Sequence, residues 1–325
     1  MRFERASSAS DALAKVALAP DAQFIAGGTE LVNWIRDGIA APSLVIDLSP
    51  LPLRGIRRDG GVIVIGALER LADVAAHAMV RRDLPAVAAA LEAAASPQIR
   101  NMGTIGGNLL QRTRCPYFRA DAPTACNRRD PGSGCSALEG DSRHAAILGW
   151  KEACVAVHAS DLAVALLALD AVLVIETASG PRRVPLAEFY PDESRPFGPE
   201  TTLGHGELIV AVEVPLDVAA GRSRFLKARD RASFEFALVS AAAAVAIEGG
   251  RIVEARVALG GVASRPWRLW ETEAALRGAP VSASSIDAAV TAGLAGARPL
   301  KDNAYKVELA RRVAAAVINQ AGGAA

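Results

Sequence analysis

Net charge is nearly absent from this sequence: 36 Lys and Arg stand against 35 Asp and Glu, leaving +1. No global field therefore draws the chain to nucleic acid or to an anionic membrane, and partners must be argued from local features. Long apolar runs are missing too. The stretch from Leu162 to Ile175 is broken by Asp170, which excludes a bilayer-spanning segment there. The opening MRFERASSASDALAKVALAP has an early acidic residue, no long apolar stretch and no twin-arginine pair, and it predicts no export signal. No internal repeat, nucleophile triad or pair of carboxylates stands out. Cysteine is missing from most of the chain.

The four cysteines all lie between Cys115 and Cys154, in a Pro-, Gly- and Arg-rich stretch without regular periodicity. Gathering every thiol into one irregular segment points to a thiolate cage, and four thiolates are what a [4Fe-4S] cluster takes. Gaps of ten, eight and eighteen residues suit zinc poorly, because zinc knuckles pair their cysteines over short loops. Two disulfides, which need an oxidising compartment, are a further alternative, as are four unrelated buried thiols. Arg112, Arg114, Arg119, Arg128, Arg129 and Arg143 crowd this segment. They either tune a negatively charged cluster or form a solvated or partner-docking basic face. His144 and His158 are read as structural or supporting rather than as ligands.

Composition, 51% hydrophobic and 22% charged, predicts a soluble globular chain with room for two or three subdomains. Strands are expected at 23–26 and 44–48, with an N-capped helix before them, giving a βαβ unit over residues 1 to about 53. Another strand is expected at 61–66, and helix over 71–95 with a break near Pro85. A helix capped by Ser160, with Asp161 in its first turn, precedes strands at 171–177 and 208–214. Strands at 225–229 and 237–247 follow, the second turning at Gly249-Gly250 into 252–260. Helices then dominate, with 304–318 the clearest.

Two glycine loops carry the binding signal. Ala26-Gly27-Gly28-Thr29-Glu30 sits where a strand hands over to a helix, a turn whose amides suit a pyrophosphate. A tight turn without ligand fits the same residues, and the spacing is not the Rossmann one. The second, Asn101 to Asn108, has three glycines within five residues; a hairpin or bulge is its plain alternative. Two such loops on separate lobes could grip opposite sides of one dinucleotide, which points toward a flavin.

AGGTE, SPQIRNMGTIGGN, SDLAVALLALDA, GELIVAVEVP and FLKARDR occur in that order. Together they resemble the FAD-binding medium subunit of the molybdenum hydroxylases, the family of xanthine dehydrogenase, carbon monoxide dehydrogenase and the aldehyde oxidoreductases. The resemblance covers essentially the whole chain. It implies an α+β fold: a two-lobed FAD-binding domain of the PCMH or vanillyl-alcohol-oxidase type, with a [4Fe-4S] insertion, followed by a C-terminal α+β domain of antiparallel strands and helices. The lobes are expected at 1–53 and 54–220, the insertion at about 110–157, and the C-terminal domain at 221–325.

By that resemblance FAD meets Phe24, Ile25, Ala26, Gly27, Gly28, Thr29, Glu30 and Leu31 on the first loop, and Thr104, Gly107 and Asn108 on the second. Asp161 meets the ribityl or phosphate region, and Ile209 offers its backbone to the flavin ring. Lys227 lies near the pyrimidine edge, where a cation stabilises added negative charge; an ordinary solvated lysine is the alternative. The stretch from Arg114 onward is similar to the insertion of a periplasmic aldehyde oxidoreductase branch, which implies that Cys115, Cys126, Cys135 and Cys154 hold the cluster.

The implied function is electron transfer within an aldehyde-oxidising complex, with aldehyde becoming carboxylic acid. Electrons would run from a large molybdopterin subunit through a small [2Fe-2S] subunit to FAD and an external acceptor, in a heterotrimer. A stand-alone FAD-dependent oxidoreductase and a 4-hydroxybenzoyl-CoA-reductase-like subunit are the alternatives. The implied location is periplasmic, by co-export with a signal-bearing partner, with the cytoplasm as alternative. No nucleic acid and no membrane partner is expected.

Overall fold

The computed structural model describes residues 1–192 and 194–323. Residue 193 of the expected second lobe and residues 324–325 of the expected C-terminal domain lie outside them. Elements β1 (Arg2–Arg5), α1 (Ala9–Val16), β2 (Gln23–Ile25), α2 (Leu31–Arg36) and β3 (Leu44–Asp47) form a parallel sheet in the order β1-β3-β2. Ser8 caps α1 by accepting from the Asp11 amide at 3.0 Å.

The next sheet is five-stranded and antiparallel, in the order β4-β5-β8-β6-β7. Its first strands are β4 (Ile56–Asp59) and β5 (Val62–Gly66). Where one broken helix was expected, the chain forms α3 (Leu71–Ala76), α4 (Ala78–Asp83) and α5 (Pro85–Ala93). Pro85 starts α5, where its missing N–H costs nothing. After α6 (Pro97–Arg100), the second glycine segment forms α7 (Ile105–Leu109) instead of a hairpin or bulge, capped by Thr104. The excursion from 110 to 160 has no named helix or strand, then α8 (Asp161–Ala168), β6 (Val172–Glu176), β7 (Arg182–Pro185), α9 (Leu186–Phe189) and β8 (Leu208–Pro215) complete the layer.

The last sheet, β12-β11-β10-β9, is built from β9 (Arg224–Ala228), β10 (Val239–Glu248), β11 (Arg251–Gly260) and β12 (Trp267–Arg268). Helices α10 (Trp270–Leu276), α11 (Ala283–Gly293) and α12 (Tyr305–Gly322) follow. The alanines of β10 have a clear use. Ala242, Ala244 and Ala246 face the core formed with α5 and α8, while Ala241, Ala243 and Val245 face α10 to α12. Period-two alternation buries both faces, and small side chains let helices lie close on each.

Near the start of α12, Lys306 is 1% exposed and donates to the carbonyls of Ala145 and Gly261, at 2.9 and 2.5 Å. It thus staples a point within the cysteine excursion, between Cys135 and Cys154, to the end of β11. Burial pushes its ammonium down from 10.5 to about 7. Between those values the unfolded chain binds the extra proton, so this residue makes stability rise with pH across that window. Below about pH 7 the cost of burying the charge is present in full. Denaturant midpoints should therefore climb from pH 7 toward 10, by at most about 1.4 kcal/mol per pH unit from this group. Lys306→Met should remove that part of the slope.

Candidate functional site

A cleft of about 670 Å³ opens between the first sheet, α7 and the C-terminal sheet. The first glycine loop leaves β2 and enters α2, and residues 24 to 31 all line the cleft. Gly28 holds φ +72, a left-handed turn that L side chains rarely adopt. Gly27 lies against the second loop so closely that a Cβ there would stand 1.9 Å from the Met102 carbonyl oxygen. The two loops are thus in backbone contact, and Thr104, Gly107 and Asn108 continue the same wall. Thr104 Oγ1 accepts from the Gly107 amide at 3.3 Å, and Ser160 Oγ donates to Asn108 Oδ1 at 2.6 Å. The second loop is therefore braced on the start of α8.

Asp161 and Lys227 complete that end of the cleft. Their side chains are 6% and 3% exposed, and Lys227 Nζ donates to Asp161 Oδ2 at 2.7 Å and to the Ala93 carbonyl at 3.1 Å. The solvated-lysine alternative is thereby overturned. Burial pushes the Asp161 carboxyl up, and the Lys227 ammonium opposes the push. Ile209 is the one expected contact not brought to the cleft wall. It is 4% exposed, pairs with Ile175 between β8 and β6, and belongs to the central core.

All four cysteines are free thiols, which sets the disulfide alternative aside. The excursion folds them toward one another: Cys126 and Cys135 are backbone-bridged, and Cys154 is bridged to Lys151. Burial pushes the Cys115 thiol up to about 11, with Cys154 and Cys126 near enough to add to the push. Among the described residues, no three His, Cys, Asp or Glu form a group able to hold a metal ion, so the expected metal site is not shown.

The crowd of arginines is resolved into individual roles. Only Arg128 donates to a sulfur among the hydrogen bonds described, Nε to Cys154 Sγ at 3.2 Å. Burial works against its charge, yet Cys154 and Glu200 raise its pKa on balance. Arg112 pairs with Glu200, Arg114 and Arg119 with Glu30, and Arg143 with Asp230. Arg129 donates to the Ala120 carbonyl. A basic docking face is not what these residues form, because acids of the same chain meet most of them. His158 packs against Tyr190, ring centroids 4.7 Å apart, and desolvation of its ring drives its pKa down to about 3.

The family described as the FAD binding domain in molybdopterin dehydrogenase matches residues 1–217, and that of the CO dehydrogenase flavoprotein C-terminal domain matches 224–321. The chain belongs to the FAD-binding medium subunits of the molybdenum hydroxylases. It is an oxidoreductase subunit of that family, and it binds FAD. It is 45% identical over 321 residues to the aldehyde oxidoreductase FAD-binding subunit PaoB of Escherichia coli strain K12, covering 98% of this chain and 97% of that one. The carbon monoxide dehydrogenase medium chain of Hydrogenophaga pseudoflava is 26% identical, with 94% and 90% covered. A solved structure of carbon monoxide dehydrogenase from that organism, lacking the Mo-pyranopterin moiety, superposes with a TM-score of 0.78 at 26% identity, covering 100% and 98%.

This medium subunit also uses residues that its motifs did not announce. Ala94 and Ala95 line the cleft, as do residues 200–201 and 203–205 and the aromatic residues Phe234 and Phe236. Ala95 and Phe234 hold positive φ of 48° and 52°. Only the glycine- and threonine-rich run near 200 carried a loop signal. Thr104→Val should leave the Gly107 amide without its cap, at about 1 kcal/mol, and weaken FAD about fivefold in a fluorescence titration.

Proposed function

We propose that this subunit carries FAD and a [4Fe-4S] cluster in a complex that oxidises aldehydes to carboxylic acids. Its partners are a large molybdopterin-binding subunit and a small [2Fe-2S] subunit, and its task is to pass their electrons to an external acceptor. The observation that carries the reading is the cleft where both glycine loops, Asp161 and Lys227 converge, in a chain so similar to an aldehyde oxidoreductase FAD-binding subunit. We also propose the division into 1–53, 54–220 with an insertion at 110–157, and 221–325. A periplasmic location follows if a signal-bearing partner exports the complex.

The residues present fit a dinucleotide. Gly27 and Gly28 let backbone approach the pyrophosphate, and Thr29, Thr104 and Asn108 supply polar groups beside it. Lys227, held by Asp161, keeps a fixed cation at the same wall. Leu71, Ile99, Leu110 and Leu203 offer apolar surface that shields bound rings from water. When bound, FAD supplies reversible electron transfer; the protein supplies placement and electrostatic tuning.

For the cluster, the fitting donors are Cys115, Cys126, Cys135 and Cys154, with Arg128 placed to stabilise negative charge on Cys154. Iron, sulfide and flavin measured on the complex copurified with its neighbours test the whole reading. About four irons and one flavin per copy, beyond those of the small subunit, are expected. Flavin without that iron removes the cluster from the proposal, and a chain that copurifies alone removes the partners.

A further inference from the structure

Two carboxylates tie the flavin cleft to the cysteine excursion. Glu30 closes the first glycine loop. It accepts from Trp34 Nε1 at 2.9 Å, the Arg112 amide at 3.1 Å, Arg114 Nη2 at 2.5 Å and Arg119 Nη2 at 2.8 Å. Its side chain is 15% exposed. Three of those donors come from residues 112–119, so Glu30 holds the stretch that carries Cys115 on both of its sides. Glu200 makes the second tie. One of its oxygens takes Arg112 Nε, and the other faces Arg128 Nη1 at 3.2 Å, while Arg128 Nε reaches Cys154 Sγ. Glu30, Glu200, Arg112 and Arg114 all line the cleft.

We infer that Glu30 and Glu200 are positioning residues that couple the two sites, so that filling the cysteine excursion tightens flavin retention and flavin binding steadies the excursion. This rests on the proposal that the four cysteines hold a cluster. The excursion has no helix or strand of its own to fix Arg114, Arg119 and Arg128. Cross-linking its thiolates fixes them, and each guanidinium then holds a carboxylate at the cleft through charge-assisted bonds, the strong kind at low exposure. Glu30 directly follows Gly28 and Thr29, so its position sets theirs. Coupling of this kind is reciprocal: each site gains from the other by the same factor.

A double-mutant cycle on the purified complex tests the coupling. FAD dissociation constants and iron content are measured for wild type, Cys135→Ala, Glu30→Gln and the combination. Cys135 does not line the cleft, yet Cys135→Ala should lose the iron and weaken FAD about tenfold, within the usual range of coupling between sites. Glu30→Gln should weaken FAD similarly, and the combination should be little worse than either alone. If Cys135→Ala loses its iron and keeps wild-type FAD affinity, the coupling is overturned while the cluster stands. If the wild type carries no iron on the excursion, the cluster proposal fails by that count, separately from the flavin result. Losses that multiply in the combination also overturn the coupling, because a direct contact between Glu30 and flavin would behave that way. Hydrogen exchange adds a readout that needs no iron: FAD should slow exchange over 112–119 in wild type and not in Glu30→Gln. Glu200→Gln serves as the second variant should Glu30→Gln not fold, with the same expectations for 128 and its neighbours; unchanged protection in either variant counts against the proposal.

Discussion

Gly27→Ala should yield protein that purifies nearly free of flavin. The added methyl would stand 1.9 Å from the Met102 carbonyl oxygen and 2.6 Å from its carbon, and both are backbone atoms with no rotamer to escape into. The two glycine loops must then move apart. Overpacking of this kind costs about 1–3 kcal/mol, and if the upper end falls on binding it weakens FAD about a hundredfold. The check is the ratio of flavin to protein absorbance after gel filtration. Gly61→Ala is the matched control, since nothing lies within 4 Å of a Cβ there. Full flavin in Gly27→Ala would mean that contact between the loops does not shape the site.

The second large effect belongs to Lys227. Replacing it by Met leaves Asp161 buried without its cation, and breaking a buried pair from one side costs about 3–5 kcal/mol. Urea denaturation should show that loss, and the flavin midpoint potential should fall as the nearby cation disappears. Adding Asp161→Asn should recover much of the stability, because the orphaned charge is gone, and should return part of the potential, because a nearby anion is lost with the cation. A potential unchanged in Lys227→Met would make the pair a purely structural brace.

Much of the site was legible because its signals are local. AGGTE announces a strand-to-helix turn by composition, and Ser160 and Asp161 announce a capped helix, which the Ser160 Oγ bond to the Ala163 amide at 3.0 Å realises. Strand β10 was legible despite its alanines because Gly249-Gly250 marks the hairpin after it. Helix α7 was not, since IGGNL carries two poor helix formers. Tertiary packing decides there: a Cβ on Gly106 would already press on Ala67, at 3.2 Å, so glycine is what lets the turn seat. Short β4, β7 and β12 gave no pattern long enough to read. The ties from Glu30 to Arg114 and Arg119 span 84 and 89 residues, and no spacing rule reaches that far.

The alternating alanines of β10 bear on how this protein can be cut and recombined. A fragment ending near residue 217 would strip α5 and α8 of Ala242, Ala244 and Ala246, wetting a large apolar wall, and would strand Asp161 without Lys227. The two matched segments therefore make one cooperative unit instead of exchangeable cassettes. A chimera that trades C-terminal halves between relatives should join at a loop before β9 and carry β9 through β11 as a block, so that the lysine arrives with the sheet that supports it.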